Sequence, residues 1–439
     1  MPLASHPEQD TIFAVASGAG RAAVTLLRIS GAASGGLLDA LCAGGRPPAR
    51  EARLRALRDV AGGLLDRAVV LWFPGPSSYT GEDSAELHLH GGAAVLAGVV
   101  DALAAAGARP AEPGEFTRRA FLNGRMDLIE AEAVADLVEA ETAAQRRQAL
   151  EQLGGGLGAL YLGWATRLTG LVARQEALVD FPDEAADEEA GERMAAEIAS
   201  MEAAVAAHLD DGRRGERLRS GLVFAIAGPP NAGKSTLINA LTAREVAIVA
   251  PLPGTTRDVL EARIELAGAP VTLLDTAGLR ETSEPVEAEG VRRARARLRE
   301  ADLMLWVTEA GQPAPPPPDH AARLIALVSK SDLAAGESPT GGLRISALTG
   351  AGMAELRDRL AAEARDLTQR AGPPPLTRAR HRVALGEVRA HLAAAAVASL
   401  PELCCEDLRM ALRGLGRVTG HVGVEDVLDS VFRQFCIGK

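Results

Sequence analysis

Short β-like apolar runs recur through the first quarter of the chain. Val24–Ile29, Ala68–Phe73 and Glu86–His90 read as strands, Glu86–His90 with a two-residue period, and the Ala-rich stretch Ala93–Ala106 reads as a helix. Pro74-Gly75-Pro76 and Glu112-Pro113-Gly114 punctuate them as turns, so residues 1–122 predict an α/β domain. After Asp127 the period changes. Leu128, Ala131, Val134, Ala135 and Val138 recur at three- and four-residue steps, which places them on one face of a helix. Similar spacing continues past Leu171, and proline is absent from Glu115 through Phe181, so long helices are expected over 123–219. Within them, Gly154-Gly155-Gly156-Leu157-Gly158 lacks the Lys-Ser of a phosphate-binding loop and reads as close helix packing or a kink.

Strand and helix patterns alternate again from residue 220 to about 365. Gln312 to Pro318, with five prolines, reads as a surface loop, and Gly372-Pro373-Pro374-Pro375 as a linker. Helical patterning then returns from Thr377 to Phe435. Residues 220–372 therefore predict an α/β domain inserted between two parts of one helical domain, 123–219 and 373–439. The carboxylate-dense segment Asp180 to Glu192 reads as a solvated connection between helices.

At 439 residues and 45.6 kDa the chain exceeds one ordinary core, which agrees with a multidomain α/β plus α protein. Its 47 Lys and Arg against 58 Asp and Glu leave a formal charge of −11, so bulk attraction cannot hold nucleic acid. Aromatic residues, at 3%, are too few for a stacking platform, and a nucleic-acid role would need a local basic patch or a basic partner. Cys42, Cys404, Cys405 and Cys436 show no CxxC spacing, so neither a disulfide framework nor a structural zinc site is expected. Met1 to Asp10 is polar and lacks a signal pattern, and apolar runs fall short of the about 20 residues that span a bilayer. A cytoplasmic protein with no membrane partner is expected.

The chemistry concentrates in the second α/β segment. The buried-strand run Leu222–Ala227 leads directly into Gly228-Pro229-Pro230-Asn231-Ala232-Gly233-Lys234-Ser235 and an amphipathic helix, Thr236 to Leu241. This is a Walker A loop in its strand–loop–helix setting. Its glycines let backbone amides turn toward phosphates, and the helix N-terminus adds favourable partial charge. Asn231, Ala232, Gly233, Lys234, Ser235 and Thr236 would bind the nucleotide, with Lys234 on the β- and γ-phosphates and the Ser235 hydroxyl on Mg²⁺. Thr256, in Gly254-Thr255-Thr256-Arg257-Asp258, would close the Mg²⁺ shell. Asp275, Thr276, Ala277 and Gly278 end a second strand. Asp275 would hold Mg²⁺ through water, and the Gly278 amide would sense the γ-phosphate.

A third strand, Leu324–Val328, leads into Ser329-Lys330-Ser331-Asp332, and Ser346-Ala347-Leu348 follows. The Asp332 carboxylate accepts from guanine N1 and the 2-amino group, which adenine cannot match. Together these segments resemble a translation-factor-type, Ras-like P-loop GTPase domain. Ser329 stands where that pattern has Asn, a residue that braces the loops and bonds the base. Leu279 occupies the position where Ras-like enzymes carry the water-orienting Gln, so another polar group must do that work. Glu287 and Glu289 lie on the following segment, and Arg257 and Arg280 flank the site.

Motifs outside the GTPase segment extend the resemblance to the whole chain. Asp10–Ala14, Leu27–Gly31, Trp72–Pro76, Tyr79–Asp83, Pro113–Thr117, Phe121–Arg125, Asp180–Glu184 and the CxGK tail Cys436–Lys439 appear in the order seen in the MnmE (TrmE) family of tRNA-modifying GTPases. The resemblance implies a homodimer whose N-terminal domains meet and bind a reduced folate, 5,10-methylene-tetrahydrofolate, with 5-formyl-tetrahydrofolate as an analogue. By motif position Arg28, Glu86, Arg125 and Lys439 would contact it. Cations suit the folate carboxylates and Glu86 suits the pterin amino group. Cys436 matches a cysteine needed for tRNA modification, whereas His88 and His90 read as structural.

The same resemblance implies G domains that pair across the dimer around K⁺, with Asn231, Ala250, Leu252 and Thr255 as its ligands. That cation would offset transition-state charge. Glu287 falls where the family orients water through a relay, beside Arg257 and Arg280. The implied reaction adds an aminomethyl or carboxymethylaminomethyl group to C5 of the wobble uridine of certain tRNAs. The implied partners are tRNA and an FAD-dependent protein, MnmG, in a heterotetramer. The arginines of Val291 to Glu300 read as a solvated switch helix rather than an RNA patch. Two rivals share the GTPase motifs: a ribosome-assembly GTPase switch, which leaves residues 11–125 and the tail unexplained, and a non-enzymatic GTP-binding scaffold.

Overall fold

A computed structural model describes residues 10–18, 20–180, 188–243, 261–275, 301–310, 315–316, 323–333, 342–369, 373–420, 428, 431–432, 435 and 438. The chain divides into two compact units. One comprises Met1–Ala135, Leu153–Thr169 and Leu412–Lys439; the other comprises Asp136–Gln152 and Gly170–Ala411.

The first unit is built on a sheet of β1 (Ile12–Val15), β2 (Ala22–Ser30), β3 (Arg53–Arg58), β4 (Leu64–Phe73), β5 (Ser84–Gly91) and β6 (Arg109–Pro110). The spatial order is β3-β4-β5-β2-β1-β6, antiparallel except for the β1–β6 pair. Helices Ser34–Leu41 and Ala93–Ala105 cover one face, where Leu37, Leu38, Val99 and Leu103 meet Leu27, Ile29, Val70, Leu87 and Leu89. Because strand side chains alternate faces, Arg28 between Leu27 and Ile29, and Glu86 before Leu87, stand on the opposite face. A second cluster packs Leu128, Ala131 and Ala135 against Leu428, Val431, Phe432 and Phe435.

The expected strands and Ala-rich helix are present. Two further helices, Ser34–Leu41 and Glu115–Leu122, and three further strands, β1, β3 and β6, add to the reading of this region. The glycine run also differs from expectation. Helix Ala143–Leu153 ends before it and helix Gly156–Asp180 starts within it, with Gly155 at φ +80. The run breaks one helix from the next, because residues with side chains rarely adopt that backbone conformation.

The second unit holds a six-stranded sheet of β7 (Leu222–Ala227), β8 (Glu261–Leu266), β9 (Ala269–Asp275), β10 (Leu303–Glu309), β11 (Leu324–Ser329) and β12 (Leu343–Arg344). Its order is β12-β11-β10-β7-β9-β8, parallel except where β8 runs against β9. Strand β7 lies between β9 and β10, so the order of connection reverses there. The carboxyl end of such a strand is where open α/β sheets bind ligands. Helices Lys234–Thr242 and Met353–Thr368 close the core, with Leu237, Ile238, Leu241, Leu356 and Leu360 against Phe224, Leu273 and Leu305. Helices Glu188–Leu209 and Ala379–Val397 pack side by side in the same unit. No helix among the described residues is long and apolar enough to cross a membrane.

Candidate functional site

The phosphate-binding loop leaves the carboxyl end of β7. Gly228 has φ +154, and a Cβ there would lie 2.0 Å from the Val307 carbonyl oxygen, so only glycine lets the chain turn this close to β10. Asn231 sits at φ +62, Gly233 caps helix Lys234–Thr242, and Thr236 lies exposed in its first turn. The Lys234 side chain folds back over the loop, its Nζ donating to the carbonyls of Gly228 at 2.9 Å and Pro229 at 2.8 Å. Burial pushes the Lys234 ammonium pKa down, and the negative Asp275 opposes that shift.

Asp275 ends β9 opposite Ile226 and is buried. Its Oδ2 accepts from the Ser235 hydroxyl at 2.9 Å. A buried carboxylate and a hydroxyl at that separation, next to a lysine, are the hard oxygen donors that suit Mg²⁺ beside a phosphate chain.

The residues expected on the base side lie at the ends of β11 and β12. Ser329 is buried, and its Oγ lies 2.7 Å from the Ala232 carbonyl oxygen and 3.1 Å from that of Thr308. Lys330 has φ +54 and pairs with Glu309 at 3.0 Å. The Ser331 amide donates to Ile345 at 3.1 Å, bringing the exposed Asp332 beside the Ser346–Leu348 turn. In that turn the Ser346 amide donates to Ala351 at 2.8 Å, and its Oγ accepts from the Thr349 amide at 3.2 Å. Ala347 is half-buried and Leu348 exposed. Segments about a hundred residues apart in the chain are thus brought together at Ser329 and Ala232.

Several expected site residues lie outside the described residues: Ala250, Leu252, Thr255, Thr256, Arg257, Thr276, Ala277, Gly278, Arg280, Glu287, Cys436 and Lys439, together with the arginines of 291–300.

In the other unit Arg28 and Glu86 face each other across β2 and β5, with Arg28 Nη2 3.0 Å and Nε 3.3 Å from Glu86 Oε1. The guanidinium also stands over two rings, 5.3 Å from the centroid of Tyr79 and 5.8 Å from that of Phe116. This gives a cation held between a carboxylate and aromatic faces. The Tyr79 hydroxyl shares a 2.8 Å hydrogen bond with Thr117, and burial raises its pKa. Arg125 is exposed, and its side chain passes Gly81, where a Cβ would lie 3.2 Å from Arg125 Cγ. Asn123 fastens the same loop by donating to the Thr80 carbonyl at 2.7 Å. Near the carboxyl terminus, Gly438 packs on the end of β1, where a Cβ would lie 2.3 Å from the Val15 carbonyl oxygen.

His90 Nδ1 is 2.7 Å from Asp66, a tie that also lowers the Asp66 pKa although burial works against it. Sequence patterning did not single out Tyr79, Phe116 and Asn123 as site residues. Their signal lies in the third dimension, where turn and helix residues are carried to the Arg28 face of the sheet.

Two family models match the chain: "MnmE helical domain" over residues 128–436 and "GTP-binding protein TrmE N-terminus" over 11–125. Among curated relatives, a protein of Gluconacetobacter diazotrophicus named "tRNA modification GTPase MnmE" is 56% identical over 436 residues, covering 98% of this chain and 99% of that protein. Proteins of the same name from Granulibacter bethesdensis and Methylobacterium radiotolerans are 53% and 54% identical, each covering 98% of this chain and 100% of the relative.

Proposed function

This chain belongs to the MnmE family of tRNA modification GTPases, and from that membership we propose that it couples GTP hydrolysis to modification of the wobble uridine at C5. The observation that carries the nucleotide half is the Lys234–Ser235–Asp275 arrangement at the switch point of the parallel sheet. On binding GTP, Lys234 exchanges two backbone carbonyls for the β- and γ-phosphates. Because burial already disfavours its charge, the phosphates are the better partner. Ser235, Thr256 and Asp275 would hold Mg²⁺. Asn231, Ala250, Leu252 and Thr255 would hold K⁺. Bound there, the two cations would supply positive charge beside the phosphates. Glu287 orients the attacking water in place of the Gln that Leu279 replaces, with Arg257 and Arg280 beside the site. Asp332 selects guanine, helped by the Ser346–Leu348 turn.

The modification half rests on the face bearing Arg28, Glu86 and Arg125. A carboxylate for ring amino groups, cations for a glutamate tail and the half-buried Tyr79 ring form a lining that fits a reduced folate. By motif position Lys439 and Cys436 are assigned to the same half of the reaction. The folate supplies the one-carbon unit. Arg28 and Glu86 bind and orient it, opening their mutual ion pair to do so. We place the protein as a homodimer working with an FAD-dependent MnmG in a heterotetramer that receives tRNA in the cytoplasm.

Steady-state phosphate release with Mg²⁺ tests the hydrolytic half. Turnover in KCl is expected to exceed that in NaCl by tenfold or more, at ~10² for a positioned charge, and Glu287→Ala is expected to lose most of it. Equal rates in the two salts would refute the K⁺ assignment. Mass analysis of wobble uridines from cells with and without the protein tests the modification half: an unchanged C5 pattern would refute it.

A further inference from the structure

We infer that Ser329 positions the phosphate-binding loop and reads no part of the base, so that the pocket recognises guanine while leaving its N7 uncontacted by residues 329 and 330. The inference rests on the guanine reading above. Guanine offers donors at N1 and the 2-amino group and acceptors at O6 and N7. An ionised carboxylate such as Asp332 accepts only, so N7 needs a proton from elsewhere in the protein.

The Ser329 hydroxyl has a single proton to give. Its oxygen lies 2.7 Å from the Ala232 carbonyl and 3.1 Å from the Thr308 carbonyl, both of which can only accept. Whichever carbonyl takes the proton, it points into the protein, and the residue is 7% exposed. Lys330 has its Nζ on the Glu309 carboxylate at 3.0 Å. An amide side chain at 329 would carry two protons and could serve a carbonyl and a base together, whereas a hydroxyl must choose.

The choice made here has a positional meaning. Ala232 belongs to the loop after β7, Thr308 to β10 and Ser329 to the end of β11. Given to the nearer carbonyl, that of Ala232 at 2.7 Å, the one proton ties the base-side loop to the phosphate-side loop across β10.

The test is a competition titration of the full chain with GTP, 7-deaza-GTP (carbon in place of N7) and ATP. 7-Deaza-GTP is expected to bind within about threefold of GTP, since neither residue 329 nor residue 330 donates to N7. A deficit of threefold or more would overturn the inference. GTP binding no better than ATP would overturn the guanine reading itself, and the inference with it. In Ser329→Ala, GTP and 7-deaza-GTP are expected to weaken together by about three- to tenfold, the worth of one buried hydrogen bond. A loss confined to GTP would show that the hydroxyl reads N7, and no loss at all would dispose of the tie; either overturns the proposal. Should the variant fail to fold, the wild-type ratio still decides.

Discussion

Glu115 shows how one residue sets the acid response of its surroundings. Its carboxylate takes Arg109 Nη2 at 2.7 Å, Arg109 Nη1 at 2.9 Å, Arg119 Nη2 at 2.8 Å and the Glu112 amide at 2.9 Å. Burial alone would raise its pKa. The bonds from Arg109, the Glu112 amide and Arg119 overcome that and hold it below its ordinary value near 4.5. A carboxyl whose folded pKa is lowered contributes stability that is complete above the unfolded value and is lost as pH falls through the folded one. Stability should therefore fall as pH drops below about 4.5, part of it through this group. Urea midpoints taken from pH 7 down to pH 3 are expected to fall less steeply with acid in Glu115→Gln, from a lower starting point at pH 7. Parallel curves for the two proteins would show that Glu115 does not carry the effect.

Among the elements, the helix that enters the nucleotide-binding sheet and the segment that leaves it are pinned to one carboxylate. Asp136 Oδ1 accepts from Arg219 Nε at 2.7 Å and from Arg378 Nη2 at 2.6 Å, just before β7 and just after the linker 373–375. Arg382 adds a second tie by donating to Asp211 at 2.7 Å and Glu216 at 2.9 Å. Asp136 is 8% exposed, so Asp136→Ala removes a shared counter-ion from a nearly dry site, costing about 3 kcal/mol. Hydrogen exchange in helix Arg214–Ser220 should accelerate accordingly, and unchanged protection would show the carboxylate to be dispensable. None of these pairings was legible in the sequence, since each joins residues more than 80 apart or depends on a neighbouring strand. What was legible follows from local periodicity: β2, with Leu27 and Ile29 inward and Arg28 outward, and the continuous apolar run of β7. Strand β3, Arg-Leu-Arg-Ala-Leu-Arg, escaped notice because edge arginines dilute its apolar positions, and the two-residue β6 exists only through its pairing with β1. The Walker A loop was readable because its chemistry is contiguous. The Ser329 tie was not, because Ala232 is reached only after β11 is laid beside β10 and β10 beside β7.

For the whole molecule, charge decides how a tRNA can be held. At −11 the chain repels a polyanion at long range, but at physiological salt that field decays within about 8 Å, so close contacts decide the affinity. Many described arginines already spend their charge internally: Arg219 and Arg378 on Asp136, Arg382 on Asp211 and Glu216, Arg323 on Glu363 and Asp366. A guanidinium committed to a carboxylate releases few counterions when a phosphate approaches, so the gain per contact is small. The protein alone should therefore bind tRNA no more tightly than about 10 µM at 150 mM salt, within the range of non-specific association. Adding the FAD-dependent protein proposed above as a partner is expected to tighten binding by tenfold or more, with a steeper dependence on salt, if the new phosphate contacts come from that protein's cations. Fluorescence anisotropy of labelled tRNA across a salt series measures both quantities. Submicromolar binding by the chain alone would mean that its own surface grips the RNA, and the assignment of the phosphate contacts to a partner would then have to be abandoned.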